Sequence, residues 1–299
     1  MGQTIACANQ KGGVGKTTTV VNLATALALA GQRVLVVDLD PQGNATSGFG
    51  IDRSRLDGSL YEVLLEERGL DSVIIATDVD GCAIAPASVA LAGAEIELAT
   101  APQRERRVKR ALAGVTDRFD YLLIDCPPSL GLLTVNALTA ATSVLIPTQC
   151  EYYALEGLSQ LIATLNLVRD NLNPTLAIKG VVLTMFDART NLSSDVASEV
   201  RGHFGHAVFD TLIPRSVRLS EAPSFGLPIA LYRADSRGAE AYTALAAELL
   251  RRDSREPATP GTPETTPATD PVAIGEPWQP AAVTAQTPAT EPAAIGARS

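Results

Sequence analysis

Cysteine is scarce in this chain: four of 299 residues, Cys7, Cys82, Cys126 and Cys150, with no Cys-x-x-Cys pair. That spacing excludes a disulfide framework and makes a reducing compartment the expectation. No run of roughly 18 apolar residues occurs, so no membrane-spanning helix is expected. A basic stretch followed by an apolar core and a cleavage site is also missing, so no secretory leader is expected. Bases are outnumbered, 24 Lys and Arg against 33 Asp and Glu, for a net charge of −9. A global acid excess speaks against nucleic acid as a partner unless a local basic patch overrides it. The remaining composition, 46% apolar and 19% charged, is that of a soluble globular protein of one or two domains.

Leu, Val and Phe nearly vanish after Arg252, while nine of the 19 prolines fall in residues 253–299. Such a segment cannot bury enough apolar surface to offset its ordering entropy. Two parts are therefore expected: a folded domain over 1–252 and a Pro-rich disordered tail over 253–299. Deleting the tail is expected to leave thermal stability nearly unchanged. It carries a near-repeat, Ala268–Gly275 and Ala289–Gly296, read as low complexity with a two-copy linear motif as the sharper possibility.

Within 1–252 strand and helix patterns alternate. Thr4 to Ala8, Arg33 to Asp38, Tyr121 to Asp125, Ser143 to Pro147 and Gly180 to Thr184 are apolar runs without polar alternation. Strands buried on both faces read this way. Thr17 to Ala30 has helical spacing and stops at Gly31. Leu155, Leu158, Leu161, Ile162, Leu165 and Val168 share one helical face, and Ala239 to Arg252 closes the domain as a helix. The alternation predicts an α/β fold with a mainly parallel twisted sheet and helices on both faces. Ligands in such sheets bind beyond the carboxyl ends of the strands.

The sharpest local signal is Lys11-Gly-Gly-Val-Gly-Lys-Thr-Thr18, between the first strand and the first helix. Glycines let backbone N–H groups encircle phosphate oxygens, and the helix N-terminus adds partial positive charge. Lys16 would reach the β- and γ-phosphates of ATP, and the Thr17 hydroxyl would ligate Mg²⁺. The ordinary phosphate loop begins with glycine six residues before its lysine, and here that residue is Gln10; a second lysine, Lys11, follows it. Asp38, Asp40 and Asp125 all end or follow apolar strands. A P-loop enzyme needs acids at that edge to hold Mg²⁺ and to position water.

Further blocks stand in order along the chain: Asp38 to Thr46, Leu91 to Glu97, Asp125 to Gly131, Gln149 to Gly157, Thr184 to Thr190 and Ile213 to Pro223. Together with the loop they resemble the bacterial partitioning ATPases of the ParA/Soj type, from about Thr4 to Leu250. The resemblance implies that Lys11 reaches across a nucleotide-sandwich homodimer to the partner's phosphates, with Gly12 and Gly13 at the crowded face. Val14, Gly15 and Thr18 complete the loop. Asp40 is implied to orient the hydrolytic water, Asp38 and Asp125 to support Mg²⁺, and Pro214 and Arg215 to border the adenine. Arg189 and Arg218 match positions that carry DNA binding. The implied cycle is ATP-dependent dimerisation, binding to nonspecific double-stranded DNA, and hydrolysis stimulated by a ParB-type centromere-binding protein. It implies a cytoplasmic, nucleoid-associated protein without a membrane partner.

Four other readings compete. A MinD-like spatial regulator would end in a basic amphipathic helix rather than a Pro-rich acidic tail. An iron–sulfur carrier needs cysteine spacings that are absent. A self-repressing plasmid ATPase carries an N-terminal DNA-binding domain, whereas the first strand is expected at about Thr4. A non-hydrolysing switch would not need Asp40. The run Arg104 to Arg110, five bases and one acid, is read as a solvated helix face ahead of an auxiliary DNA surface.

Overall fold

The computed structural model describes residues 2–255. Seven strands form one sheet: β1 (Gln3–Cys7), β2 (Val34–Asp38), β3 (Ile75–Ala76), β4 (Cys82–Ala85), β5 (Tyr121–Asp125), β6 (Ser143–Gln149) and β7 (Ala177–Thr184). Their order is β3-β4-β2-β5-β1-β6-β7, parallel throughout except for the antiparallel edge pair β3–β4. The continuous apolar runs are the central strands. Every residue of β2 and β5 is buried, as expected where helices cover both faces.

One face is covered by α1 (Lys16–Leu29) and α11 (Arg237–Arg255), with α2 (Asn44–Gly48), α9 (Val217–Glu221) and α10 (Ile229–Tyr232) at its upper rim. The other carries α3 (Leu60–Leu64), α4 (Leu91–Glu97), α5 (Arg107–Leu112), α6 (Leu132–Ala140), α7 (Ala154–Asn171) and α8 (Asn191–Phe204). The predicted apolar stripe of α7, Leu155 through Val168, is buried at all six positions. Each such side chain contributes about 1.5–3 kcal/mol of transfer free energy. The chain leaves β1 toward β2 on one side and later returns to β6 on the other. The crevice beyond the end of β1 is therefore the place where this topology admits a ligand.

At the opposite end of the sheet the terminal helix runs to Arg255, beyond the boundary read from composition. The reason is Asp253. Its carboxylate accepts from the Tyr121 hydroxyl at 2.6 Å and pairs with Lys179, both nearly buried. Lys179 occupies the register shift of β7, where Val144 pairs Ile178 but Leu145 pairs Gly180. The bulge re-aims its side chain toward Asp253 and Gln3. The near-repeat and the rest of the tail lie outside the described residues.

Candidate nucleotide site and arginine surface

The phosphate loop leaves β1 at its carboxyl end and runs into α1. Gly15 stands at the N-cap of α1 with φ 88° and Gly13 has φ 74°, a region that side-chain-bearing residues rarely enter. A Cβ added at Gly13 would meet nothing within 4 Å, so the loop is open above that point. From the far side Thr184, at the end of β7, donates its hydroxyl to the Val14 carbonyl at 2.8 Å. Lys16 is buried, and its ammonium donates to the Lys11 carbonyl at 3.0 Å; no carboxylate pairs with it among the described residues. A buried ammonium held by one backbone oxygen keeps donors free for an anion.

The three acids converge as their strand positions require. Asp38 and Asp125 are register partners at the ends of β2 and β5, and Cys7 at the end of β1 pairs with Asp125 on its other side. Asp38 is fully spoken for: Oδ2 accepts from the Thr46 amide at 2.8 Å and its hydroxyl at 2.7 Å, and Oδ1 from the Asp40 amide at 3.3 Å. Burial nevertheless pushes its carboxyl up to about 6. Asp125 is different. It is completely buried, and neither oxygen has a hydrogen-bond partner among the described residues. Burial, and then the charge of Asp38, raise its pKa well above the ordinary carboxylate range. The Thr17 hydroxyl lowers it part of the way without forming a bond of good geometry. A buried, unpartnered carboxylate beside a threonine at a helix N-terminus has the donor chemistry of a hard-cation site, so Mg²⁺ fits the residues present. Asp40 is buried and half used: Oδ1 accepts from the Gln42 amide at 2.9 Å, while Oδ2 accepts no bond among the described residues.

Lys11 is held away from its own loop. Its ammonium pairs with Glu151 at 2.9 Å, and its amide donates to Asn9 Oδ1 at 3.0 Å; Asn9 is pinned to the Pro147 carbonyl at 2.8 Å. Glu151, Asn9, Thr46 and Thr184 had no role in the reading of the sequence. Glu151, Thr46 and Thr184 stand inside the ordered blocks quoted there, which was the available signal; Asn9 lies two residues before the quoted loop.

Pro214 and Arg215, expected beside adenine, and Arg189 and Arg218, expected to contact DNA, line one depression of about 710 Å³. Arg233 and Arg237 line it too. The segment from Phe186 to Arg189 begins two residues after Thr184, so the depression adjoins the strand end that touches the loop. Arg189 is bound to Asp187 by two side-chain bonds of 2.9 and 2.7 Å, and Arg218 to Glu221 at 2.7 Å. The Arg104–Arg110 run is not one solvated face. Residues 104–106 form a separate single turn, and Arg107 at the start of α5 is buried against Glu66, which Arg110 also engages. A buried arginine needs such a counter-charge, which uses two of the five bases internally.

No helix among the described residues is long and apolar enough to cross a membrane. The family described as an AAA domain matches residues 2–178. Over 249 residues the chain is 58% identical to the sporulation initiation inhibitor protein Soj of Bacillus subtilis, covering 83% of this chain and 98% of that protein. It is 54% identical over 254 residues to the chromosome partitioning protein ParA of Myxococcus xanthus, covering 85% and 90%. Among solved structures it is similar to cobyrinic acid a,c-diamide synthase from Mycobacterium smegmatis with bound ATP analog and magnesium. That likeness has a TM-score of 0.76 and 41% identity, over 85% of this chain and 97% of the other.

Proposed function

The chain belongs to the ParA/Soj family of chromosome-partitioning ATPases, and on that premise we propose that it couples ATP binding, dimerisation and hydrolysis to reversible attachment to nonspecific double-stranded DNA. Lys16 and the loop amides bind the phosphates of ATP. Thr17 and Asp125 hold Mg²⁺, with Asp38 fixed behind them through Thr46. The bound ion supplies positive charge that neutralises the phosphate oxygens. Asp40, with one oxygen committed to Gln42, uses the other to orient the attacking water. Hydrolysis of this kind rests on positioning and charge, without a covalent protein intermediate. Lys11 leaves Glu151 to reach the phosphates of a second protomer, which makes dimer formation depend on ATP. Two copies of the arginine surface then act together on DNA, and a ParB-type partner accelerates hydrolysis and release. The protein on this reading is nucleoid-associated. The folded unit is proposed to end after Arg255, with Asp253 inside it.

The observation that carries the reading is Asp125: two buried oxygens that have no partner among the described residues, beside a glycine loop whose lysine has no counter-charge among them either. The amide-forming activity in the name of the solved Mycobacterium relative is not adopted. A synthase that released ammonia through a thiolate would need a reachable cysteine, and all four here are buried, with Cys82 pushed up to about 12 and Cys150 to about 11 by burial.

The test is binding of purified protein to nonspecific duplex DNA with ATP, with ADP and without nucleotide, across a salt series. Binding confined to the ATP state and weakening steeply with salt is expected. Binding in no state, with turnover intact, overturns the DNA half of the reading. Asp40→Ala is expected to abolish turnover while retaining an ATP-bound dimer on DNA; normal phosphate release in that variant removes its assigned role.

A further inference from the structure

The two arginines assigned to DNA are already occupied by carboxylates of their own chain, and the two pairs share a design. Asp187 takes Arg189 in a two-pronged grip, Nε to Oδ1 and Nη2 to Oδ2, and its Oδ1 also accepts the Arg189 amide at 3.1 Å. A phosphate would be gripped by the same fork. Glu221 takes Arg218 at 2.7 Å and is itself held by the Tyr232 hydroxyl at 3.2 Å, on a ring stacked against Phe225. In each pair the acid is the fixed member and the base the freer one. The Asp187 side chain is 19% exposed against 86% for Arg189, and Glu221 37% against 50% for Arg218. Arg215, Arg233 and Arg237 on the same depression form no ion pair among the described residues.

We propose that Asp187 and Glu221 are internal competitors for DNA phosphate, a built-in brake that weakens the attachment of Arg189 and Arg218 to DNA. The inference rests on the DNA-binding reading given above. Exposed ion pairs are weak enough to be exchanged for a phosphate. Each exchange leaves a fixed carboxylate beside the DNA backbone, and that repulsion subtracts from affinity. Doubled in a dimer, the cost keeps attachment reversible, which a cycle of binding and release requires. Arg215, Arg233 and Arg237 line the same depression, and Arg215 and Arg233 also stand within electrostatic reach of Asp187 and Glu221, so the same two carboxylates oppose them at longer range.

The experiment is a double-mutant cycle in full-length protein, reading the apparent Kd for nonspecific duplex DNA with ATP at fixed salt. The variants are Asp187→Asn, Arg189→Ala and the two combined. Asparagine keeps the acceptor for the Arg189 amide and removes the charge. Asp187→Asn is expected to tighten binding by about three- to ten-fold for the dimer, and to lose most of that gain in the Arg189→Ala background. No change, weaker binding, or a gain that persists without Arg189 overturns the brake. If Arg189→Ala lowers affinity while Asp187→Asn gains nothing, the DNA reading stands and only the brake falls. If Arg189→Ala binds DNA as the wild type does, the assignment of Arg189 fails and the brake at Asp187 with it. Glu221→Gln with Arg218→Ala repeats the cycle at the second pair, and the melting temperature of each variant checks that it is folded.

Discussion

The two ends of the sheet bury charge in opposite ways. At the amino end, Lys179 meets Asp253, Gln3 and, through Asp253, Tyr121. Nearby, the Glu248 carboxylate accepts from the Asp210 and Thr211 amides, the Thr211 hydroxyl and Arg252. Every one of these charges has a partner within the chain. At the carboxyl end, Lys16 rests on one backbone carbonyl, and Asp125 has no hydrogen-bond partner among the described residues. Burying a charge unpaired is costly, so a fold that does so at one end while satisfying the same residue types at the other has reserved that end for a ligand. The difference separates structural ions from functional ones without reference to any relative.

The sharpest way to break this contrast is at Lys16. If its unpaired ammonium is the phosphate anchor, Lys16→Ala is expected to weaken ATP binding by about 100-fold or more, the scale of a lost charge-assisted bond in a water-poor site. Calorimetric titration with ATP reads it. Affinity unchanged from wild type would show that the open charge serves no ligand.

The converse substitution at the paired end should spare ATP and cost stability. Lys179→Met leaves Asp253 buried with only the Tyr121 hydroxyl, and removing one member of a buried pair costs about 3–5 kcal/mol. That is a fall of about 6–20 °C in melting temperature for a domain of this size. ATP affinity is expected to stay within about two-fold, since about 1 kcal/mol separates five-fold changes. A melting temperature equal to wild type would show that the pair is not a structural tie.

A smaller effect of opposite sign is expected at Asp125. Asp125→Asn removes a buried charge that has no partner, so the nucleotide-free protein should gain about 1–3 kcal/mol, while Mg²⁺-dependent ATP binding falls. Thermal melts with and without Mg²⁺ and ATP separate the two. A variant destabilised in the absence of ligand would mean that Asp125 is satisfied in the free protein and that the two ends do not differ.

How much of this was legible beforehand follows from the physics of each element. β1, β2, β5 and the apolar stripe of α7 declared themselves because strands buried on both faces and helices with one apolar stripe leave unmistakable periods. β4, Cys-Ala-Ile-Ala, is four residues with one β-branched side chain, and β3 is two; neither exceeds the background of loop sequence. α8 begins Asn-Leu-Ser-Ser, a polar start, and its clearest local signal is the Thr190 cap. The loop residues and the three acids were readable because each follows a strand that was itself readable. Glu151 and Asp253 were not, since both act on residues more than 70 positions away in sequence. The joint placing of Arg189 with Arg215 and Arg218 was hidden because it depends on the isolated bridge between Phe186 and Pro214, which no local period announces.

The smallest effect concerns where the fold ends. Composition put the boundary at Arg252, and a deletion from Asp253 onward was expected to be harmless. Asp253 now stands as the counter-charge of Lys179, so that deletion is expected to lower the melting temperature in the direction of Lys179→Met. Stopping after Arg255 keeps the pair and removes a segment of proline, alanine and threonine with little apolar surface to bury. Its melting temperature is expected to lie within about 1 °C of full length, a change well below 1 kcal/mol. Scanning calorimetry of the two truncations side by side decides the point. If both melt alike and low, residues beyond 255 contribute to the fold; if both melt like full length, Lys179 tolerates the loss of Asp253. Only a drop confined to the shorter chain places the end of the folded unit at the ion pair.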